Sequence, residues 1–280
     1  MGEGVGLRAA GESLNKGTGS QSMTNTTSAR AKIGLIGIVG EESKADFWGT
    51  MEKVAAIGYR GIEAPAGLLQ GDVAENLKRF HDLGLRVLTV SASRERLQAE
   101  LPAVIAEAKA LQSPRVSVWW APCDTRDAVL ADAALYNRAG AALAEEGITL
   151  CYHNHGHEFR HIYDGVYALD LLAANTDPKV VAFELDIAWI TFGGEDPSRV
   201  LRRYAGRVPA IHVKDLARLG DPAEFTAVGT GIVPIQDAVR TAIDCGIEWI
   251  VVEQDRLRHL TAFETITLSY LYLKEAGLVE

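Results

Sequence analysis

The chain carries seven histidines in 280 residues, and three of them, His153, His155 and His157, fall within the run CYHNHGHEF at 151–159. Imidazole moves protons near neutral pH and is the commonest metal ligand. Further along, Glu184 stands two before Asp186, His212 two before Lys214, and Glu253 closes the apolar run WIVV. A spacing of two puts both members of a pair on one face of a strand. These groups punctuate apolar segments, where an ionised side chain is costly unless it is paired or bound to a metal. Imidazoles mixed with carboxylates suit a hard or borderline dication. One such ion is expected, Mn²⁺ first, with Mg²⁺, Co²⁺ and Zn²⁺ as alternatives.

The elements that must position these residues alternate regularly. Apolar runs that read as strands lie at 32–39, 59–64, 85–91, 115–120, 148–154, 180–187, 208–214 and 248–253. Helical patterns follow them at about 44–57, 72–83, 97–111, 125–146, 166–175, 197–204, 235–245 and 261–276, several stopped by a glycine such as Gly84 or Gly246. Continuous β-branched runs alternating with helices predict a parallel sheet covered by helices. Eight units, with no GxGxxG after the first strand, favour a single (β/α)₈ barrel over 31–280 rather than an open doubly wound sheet. In a barrel the chemistry gathers at the C-terminal strand ends, and the histidines and acids above fall there. Residues 1–30, rich in Gly, Ser, Thr and Asn, are expected to be a disordered extension, with Met23 a candidate true start.

Bulk properties narrow the function classes. The net charge of −9 and the lack of a basic stripe argue against nucleic acid as a partner. No apolar run approaches the length of a membrane span. Cys123, Cys151 and Cys245 are widely spaced with no CxxC, which suggests a reducing, cytoplasmic setting.

Five segments together resemble the xylose isomerase-like sugar phosphate isomerase/epimerase superfamily, in its YHNH-type branch related to inosose dehydratases and ketose 3-epimerases. They are YHNHGHEF at 152–159, ELDIAWITFGGEDP at 184–197, IHVKD at 211–215, VGTGIVP at 228–234 and VVEQD at 251–255. The resemblance implies a metal held by Glu, Asp, His and Glu from strands five to eight. Asp186, His212 and Glu253 match the last three. For the first, His153 stands where many relatives have the Glu, while Glu158 follows five residues later, so both answer to the position. Whichever is not a ligand becomes an acid/base candidate.

The implied activity is isomerisation or epimerisation of a sugar, keto-sugar or related polyol through an enediolate-type intermediate. The alternative is dehydration of a keto-sugar or keto-inositol at the same site. His155, His153, Glu158 and Glu253 are the expected proton-transfer candidates, and Lys214 the expected partner for enolate charge or a substrate oxygen. Glu184, Trp189 and Trp120 are expected to contact substrate. Trp189 takes a place where relatives often have a histidine, and of the adjacent Trp119 and Trp120 at most one is expected to face inward. The bland readings are that Trp189 is a packed rim aromatic and that His157 and His161 are loop residues rather than a second metal site. Arg256, Arg258 and His259 follow strand eight without a glycine-rich phosphate cradle. The resemblance also implies a homo-oligomer, a dimer or tetramer.

Overall fold

In a computed structural model, which describes residues 1 and 29–280, the apolar runs form eight strands. They are β1 (Lys32–Leu35), β2 (Gly61–Glu63), β3 (Arg86–Ala92), β4 (Arg115–Val118), β5 (Thr149–His153), β6 (Val181–Asp186), β7 (Ala210–Val213) and β8 (Trp249–Val252). Each is parallel to its chain neighbours and β8 pairs with β1, so the sheet closes into a barrel. Outside it lie α1 (Phe47–Ile57), α2 (Val73–Asp82), α3 (Leu101–Ala110), α4 (Arg126–Glu145), α5 (Ala168–Ala174), α6 (Pro197–Arg203), α7 (Ile235–Asp244) and α8 (Ala262–Glu275). Positions 2–28, which hold most of the expected extension and Met23, lie outside the described residues.

Because helices cover one face of each strand and barrel side chains the other, strands such as β6 are buried at every position. The barrel axis is filled low down by a small apolar layer of Leu88, Ala210 and Val251. Gly34 and Gly61 flank it, and a Cβ at either would come within 2.6 Å of the Leu88 side chain, so their bareness makes room for Leu88. Two residues further along β7 and just past β8, alternation raises His212 and Glu253 on the same inner face. An apolar floor thus carries a polar layer at the C-terminal mouth. Local signals set the helix starts: Thr261 and Glu264 form a reciprocal capping box at α8, and Asp72 accepts from Ala74 and Glu75 at α2.

Departures from the sequence expectation cluster at that mouth. The first strand ends at Leu35 rather than 39, and the chain enters a short helix, Gly40–Ala45, before α1. The fourth ends at Val118, leaving Trp119 and Trp120 in the following loop. The helix expected from 166 begins only at Ala168; Ile162–Tyr163 and Val166–Tyr167 pair as a small hairpin. A second hairpin, Asp215–Arg218 with Glu224–Thr226, follows β7. Among the described residues no helix is long and apolar enough to cross a membrane, and all three cysteines are free.

Candidate active site

Strand register brings the chemistry together. In the β5–β6 pairing His153 lies opposite Glu184, and in the β6–β7 pairing Asp186 lies opposite His212. His153, Asp186, His212 and Glu253 each offer a ligand atom, and these four atoms lie within 4.8 Å of one another. Asp186 also caps the short helix Ile187–Phe192, accepting from the Trp189 N–H at 2.9 Å, while the Asn154 side chain accepts from the Asp186 N–H at 3.0 Å. His153 Nδ1 is buried without a hydrogen-bond partner. Two imidazoles and two carboxylates in this arrangement fit a divalent cation.

Of the two residues that answer to the strand-five position, the structure brings only His153 to this group. Glu158 is fully buried in a one-turn helix, and both its oxygens are taken: one accepts from the Tyr152 hydroxyl at 2.8 Å, the other from the His155 backbone N–H at 2.9 Å. Its carboxylate therefore braces the loop that carries His155. Burial pushes its pKa upward.

Lys214 is likewise not where a substrate would meet it. Its ammonium is buried among three carboxylates, 2.6 Å from Asp255, 2.9 Å from Glu253 and 3.2 Å from Asp186. An ammonium has three donors, and all point at acids. The residue holds two of the four candidate ligands in place and offsets their charge.

His212 is gripped from both sides. Its Nδ1 meets Glu253 at 2.8 Å and its Nε2 meets Glu63 at 2.9 Å, with Glu184 3.6 Å away. Glu63, at the end of β2, has no counterpart in the sequence reading. It sits where the β2–β3 register shifts, with Leu88 as the extra residue, and Ala64 after it takes a positive φ of 48°. Two residues after Gly61 on the same inner face, Glu63 directs its carboxylate into the barrel by simple alternation. The only sequence signal was an acid ending an apolar strand.

The electrostatics follow from burial. Burial opposes charge on His212, but Glu63, Glu184 and Glu253 overcome it and hold the imidazole protonated well above its usual range. Burial, with the nearby Glu63 charge, pushes Glu184 up to about 8, and burial lifts Asp186 to about 6 against the pull of Lys214. Burial together with His212 drives His153 well down, and burial together with Lys214 takes His155 to about 3, so both rings are neutral.

A cavity of about 90 Å³ opens above the group, walled by His153, His155, Glu184, His212, Glu253 and Trp119 among others. His155 Nδ1 is unpartnered, and its ring is set by His153 at 5.0 Å and Trp189 at 5.2 Å. Glu184 lies at the cavity wall, its carboxylate accepting from Ser117. Trp189 packs behind His155, against Phe192 and Phe225. Both tryptophans after β4 are exposed. Trp119 lines the cavity, whereas Trp120 stands over His157 at 5.9 Å. The in-or-out alternation does not apply to them because the strand has already ended. His157 and His161 bond to the backbone carbonyls of Ala121 and Cys123, tying one mouth loop to another.

Residues 51–266 match the family model described as xylose isomerase-like TIM barrel. Among curated proteins the chain is 25% identical over 218 residues to an inosose dehydratase of Clostridium beijerinckii, covering 70% of this chain and 66% of that one. The dehydratase of Geobacillus thermodenitrificans is 24% identical over 198 residues, covering 63% and 60%. The chain thus spans less than two thirds of either relative. Among solved structures, a sugar phosphate isomerase/epimerase from Parabacteroides distasonis superposes with a TM-score of 0.72 at 24% identity, over 91% of this chain and 97% of that one. An IOLI protein with a bound zinc atom superposes at 0.70 with 14% identity, over 88% and 98%. These two likenesses speak to the fold.

Proposed function

Because the chain belongs to the xylose isomerase-like TIM barrel family, we propose that it is a divalent-metal-dependent isomerase or epimerase of a sugar, keto-sugar or related polyol. The convergence of His153, Asp186, His212 and Glu253 within 4.8 Å carries this reading, and those four would hold the metal, with Mn²⁺ the first candidate. The structurally similar IOLI protein binds a zinc atom, which supports a divalent ion on this fold. Such an ion supplies positive charge to two neighbouring substrate oxygens and to the oxyanion that develops when the adjacent C–H is lost.

The protein's own groups do the rest. His155 lines the cavity with a neutral imidazole, the form that accepts a proton from carbon. In isomerisation that group returns the proton to the neighbouring carbon, while a second proton passes from one of the two substrate oxygens to the other. Epimerisation needs a second group to deliver a proton to the other face. Lys214 and Glu63 keep the ligands oriented, and Glu158 keeps the His155 loop in place. Trp119, rather than Trp120, is the tryptophan proposed to meet substrate.

The names of the curated relatives favour a second reading, dehydration of a keto-inositol, in which the same carbon loses its proton and a β-hydroxyl leaves instead. Metal analysis and turnover separate the two. Purified protein should carry about one tightly bound ion per chain. Ketopentoses, ketohexoses and inososes would be followed by NMR in D₂O with added Mn²⁺. Deuterium entering substrate without loss of water supports the isomerase; an unsaturated product supports the dehydratase. A chain that binds no stoichiometric metal sinks both.

A further inference from the structure

The cavity over the ligand group, about 90 Å³, holds roughly three waters at ~30 Å³ each, so it takes the reacting end of a substrate and leaves the remainder at the barrel mouth. That mouth is where the apolar surface gathers. Among the described residues from 29 to 280, every exposed large hydrophobic except Leu268 and Leu271 lies on a loop that follows a barrel strand. Trp119 and Trp120, after β4, are the largest of them and are 53% and 45% exposed. Apolar surface concentrated on one rim marks a place where something binds.

The two indoles are held out deliberately. His157 donates from Nε2 to the Ala121 carbonyl at 2.7 Å, and His161 Nδ1 and the Tyr163 hydroxyl both donate to the Cys123 carbonyl. Cys123 itself takes a positive φ of 55°, a strained conformation for a side-chain-bearing residue. Three side chains from the next loop thus fix a bent backbone whose first two residues face water. The Trp119 ring makes no hydrogen bond or ring contact with any described residue. It is at once a wall of the cavity and more than half exposed, so that wall continues into the open rim. A second line of rings follows it outward: from His155 on the cavity wall, centroids step 6.1 Å to His157 and 5.9 Å on to Trp120.

The chemistry of the loop narrows the occupant. Residues 119–125, WWAPCDT, contain no cation, and their one charged group is the acid Asp124. A phosphate or carboxylate would meet no partner there. An indole face left half in water suits a ring with an apolar C–H face and a hydroxyl edge that stays hydrated, which describes a pyranose. We propose that Trp119 and Trp120 form a stacking platform for a second pyranose ring, and that the substrate is a ketose-ended disaccharide rather than a free ketose. A free ketose meets Trp119 alone; a substrate with a second ring reaches Trp120 as well. The ketose end keeps its carbonyl and the neighbouring C–H, so the platform adds binding and leaves the chemistry at the cavity as it is. This rests on the reading of the barrel mouth as a keto-sugar site and narrows its substrate class.

The probes are fructose and the disaccharides lactulose, maltulose and palatinose, each of which ends in fructose with its carbonyl free. Fructose 6-phosphate and 6-O-benzylfructose are further arms. Binding is measured by calorimetry and by tryptophan fluorescence, on Mn²⁺-loaded and metal-free protein. At least one disaccharide should bind about tenfold tighter than fructose, the order expected of one ring stacked on an indole. Trp120→Ala should bring that disaccharide down to the affinity of fructose. Trp120→Tyr, which keeps an aromatic face, should hold part of the gain; both changes fall at an exposed loop position outside the core. No disaccharide tighter than fructose, fructose 6-phosphate or 6-O-benzylfructose tighter than every disaccharide, or a preference that survives Trp120→Ala overturns the proposal. Deuterium exchange into fructose without any disaccharide preference would reject the platform and leave the isomerase reading intact. A Trp120-dependent preference in protein that holds no stoichiometric metal would do the reverse.

Discussion

His212 Nε2 and Glu63 Oε2 lie 2.9 Å apart although their strands, β7 and β2, are separated in the barrel by β8 and β1. A carboxylate can only accept, so the imidazole donates from Nε2, and Nδ1 is the nitrogen left to face the cation. Glu63→Leu should weaken Mn²⁺ binding about 10–100-fold, the usual cost of losing such a carboxylate behind a ligating histidine. Glu63→Gln, which still accepts through its amide oxygen, should lose less. Calorimetric titration of metal-free protein checks both, and equal affinity in all three proteins would remove Glu63 from the site.

Metal uptake should release protons. Without metal the surrounding acids keep His212 protonated well above its usual range, and burial holds Asp186 up to about 6. Both must shed a proton to ligate, so affinity is greatest at high pH and falls as pH drops, more steeply near about 6. Titrations between about pH 8 and about pH 5.5, in buffers of different ionisation heat, count the protons. A flat profile would contradict the ligand set.

The neighbouring histidines should separate cleanly. His153→Ala removes a proposed ligand and should lower bound metal per chain. His155→Ala should leave metal content unchanged while cutting turnover about 10²–10⁴-fold, the range associated with a lost acid or base. Elemental analysis beside steady-state rates reads the difference, and metal loss in both variants would make His155 a ligand instead.

Replacing Lys214 should cost stability rather than substrate affinity. Lys214→Met leaves Asp186, Glu253 and Asp255 buried without their common partner, a loss of about 3–5 kcal/mol. Urea unfolding of the metal-free protein measures it, and bound metal should restore part of the deficit because it brings its own positive charge. A variant as stable as the parent would mean that the three acids share protons instead.

Asp215 carries the loop that follows. Its carboxylate accepts from four backbone N–H groups, Leu216 and Val233 on one oxygen and Gly229 and Gly231 on the other, at 2.9–3.0 Å. Gly231 is bare because a Cβ there would meet the Leu216 carbonyl oxygen at 2.2 Å. Asp215→Ala strands several of those donors and should destabilise by about 2–4 kcal/mol, visible as a lower Tm; Asp215→Asn should fall between. An unchanged Tm would mean that water replaces the carboxylate.

What was legible in the sequence follows from periodicity. Alternation along β6 and β7 and an acid ending β8 were enough to place Asp186, His212 and Glu253 on the inner face of a barrel. Glu63 follows the same alternation, two residues after Gly61, but its role was not legible because its partner His212 lies across the barrel on β7, a contact that neither strand encodes alone. Glu158 and Lys214 carry the right chemistry in the right segments, yet the partners that occupy them, Tyr152 and Asp255, follow from tertiary packing. The hairpin at 162–167 was legible in principle. Asp164 and Gly165 both have positive φ, the turn that an Asp-Gly pair signals between β-prone residues.

The ring of contacts around Lys214 and His212 bears on what removal of the proposed ion would do. With cationic side chains already standing among the acids, stripping by a chelator should leave a folded, reloadable vessel rather than a collapsed chain.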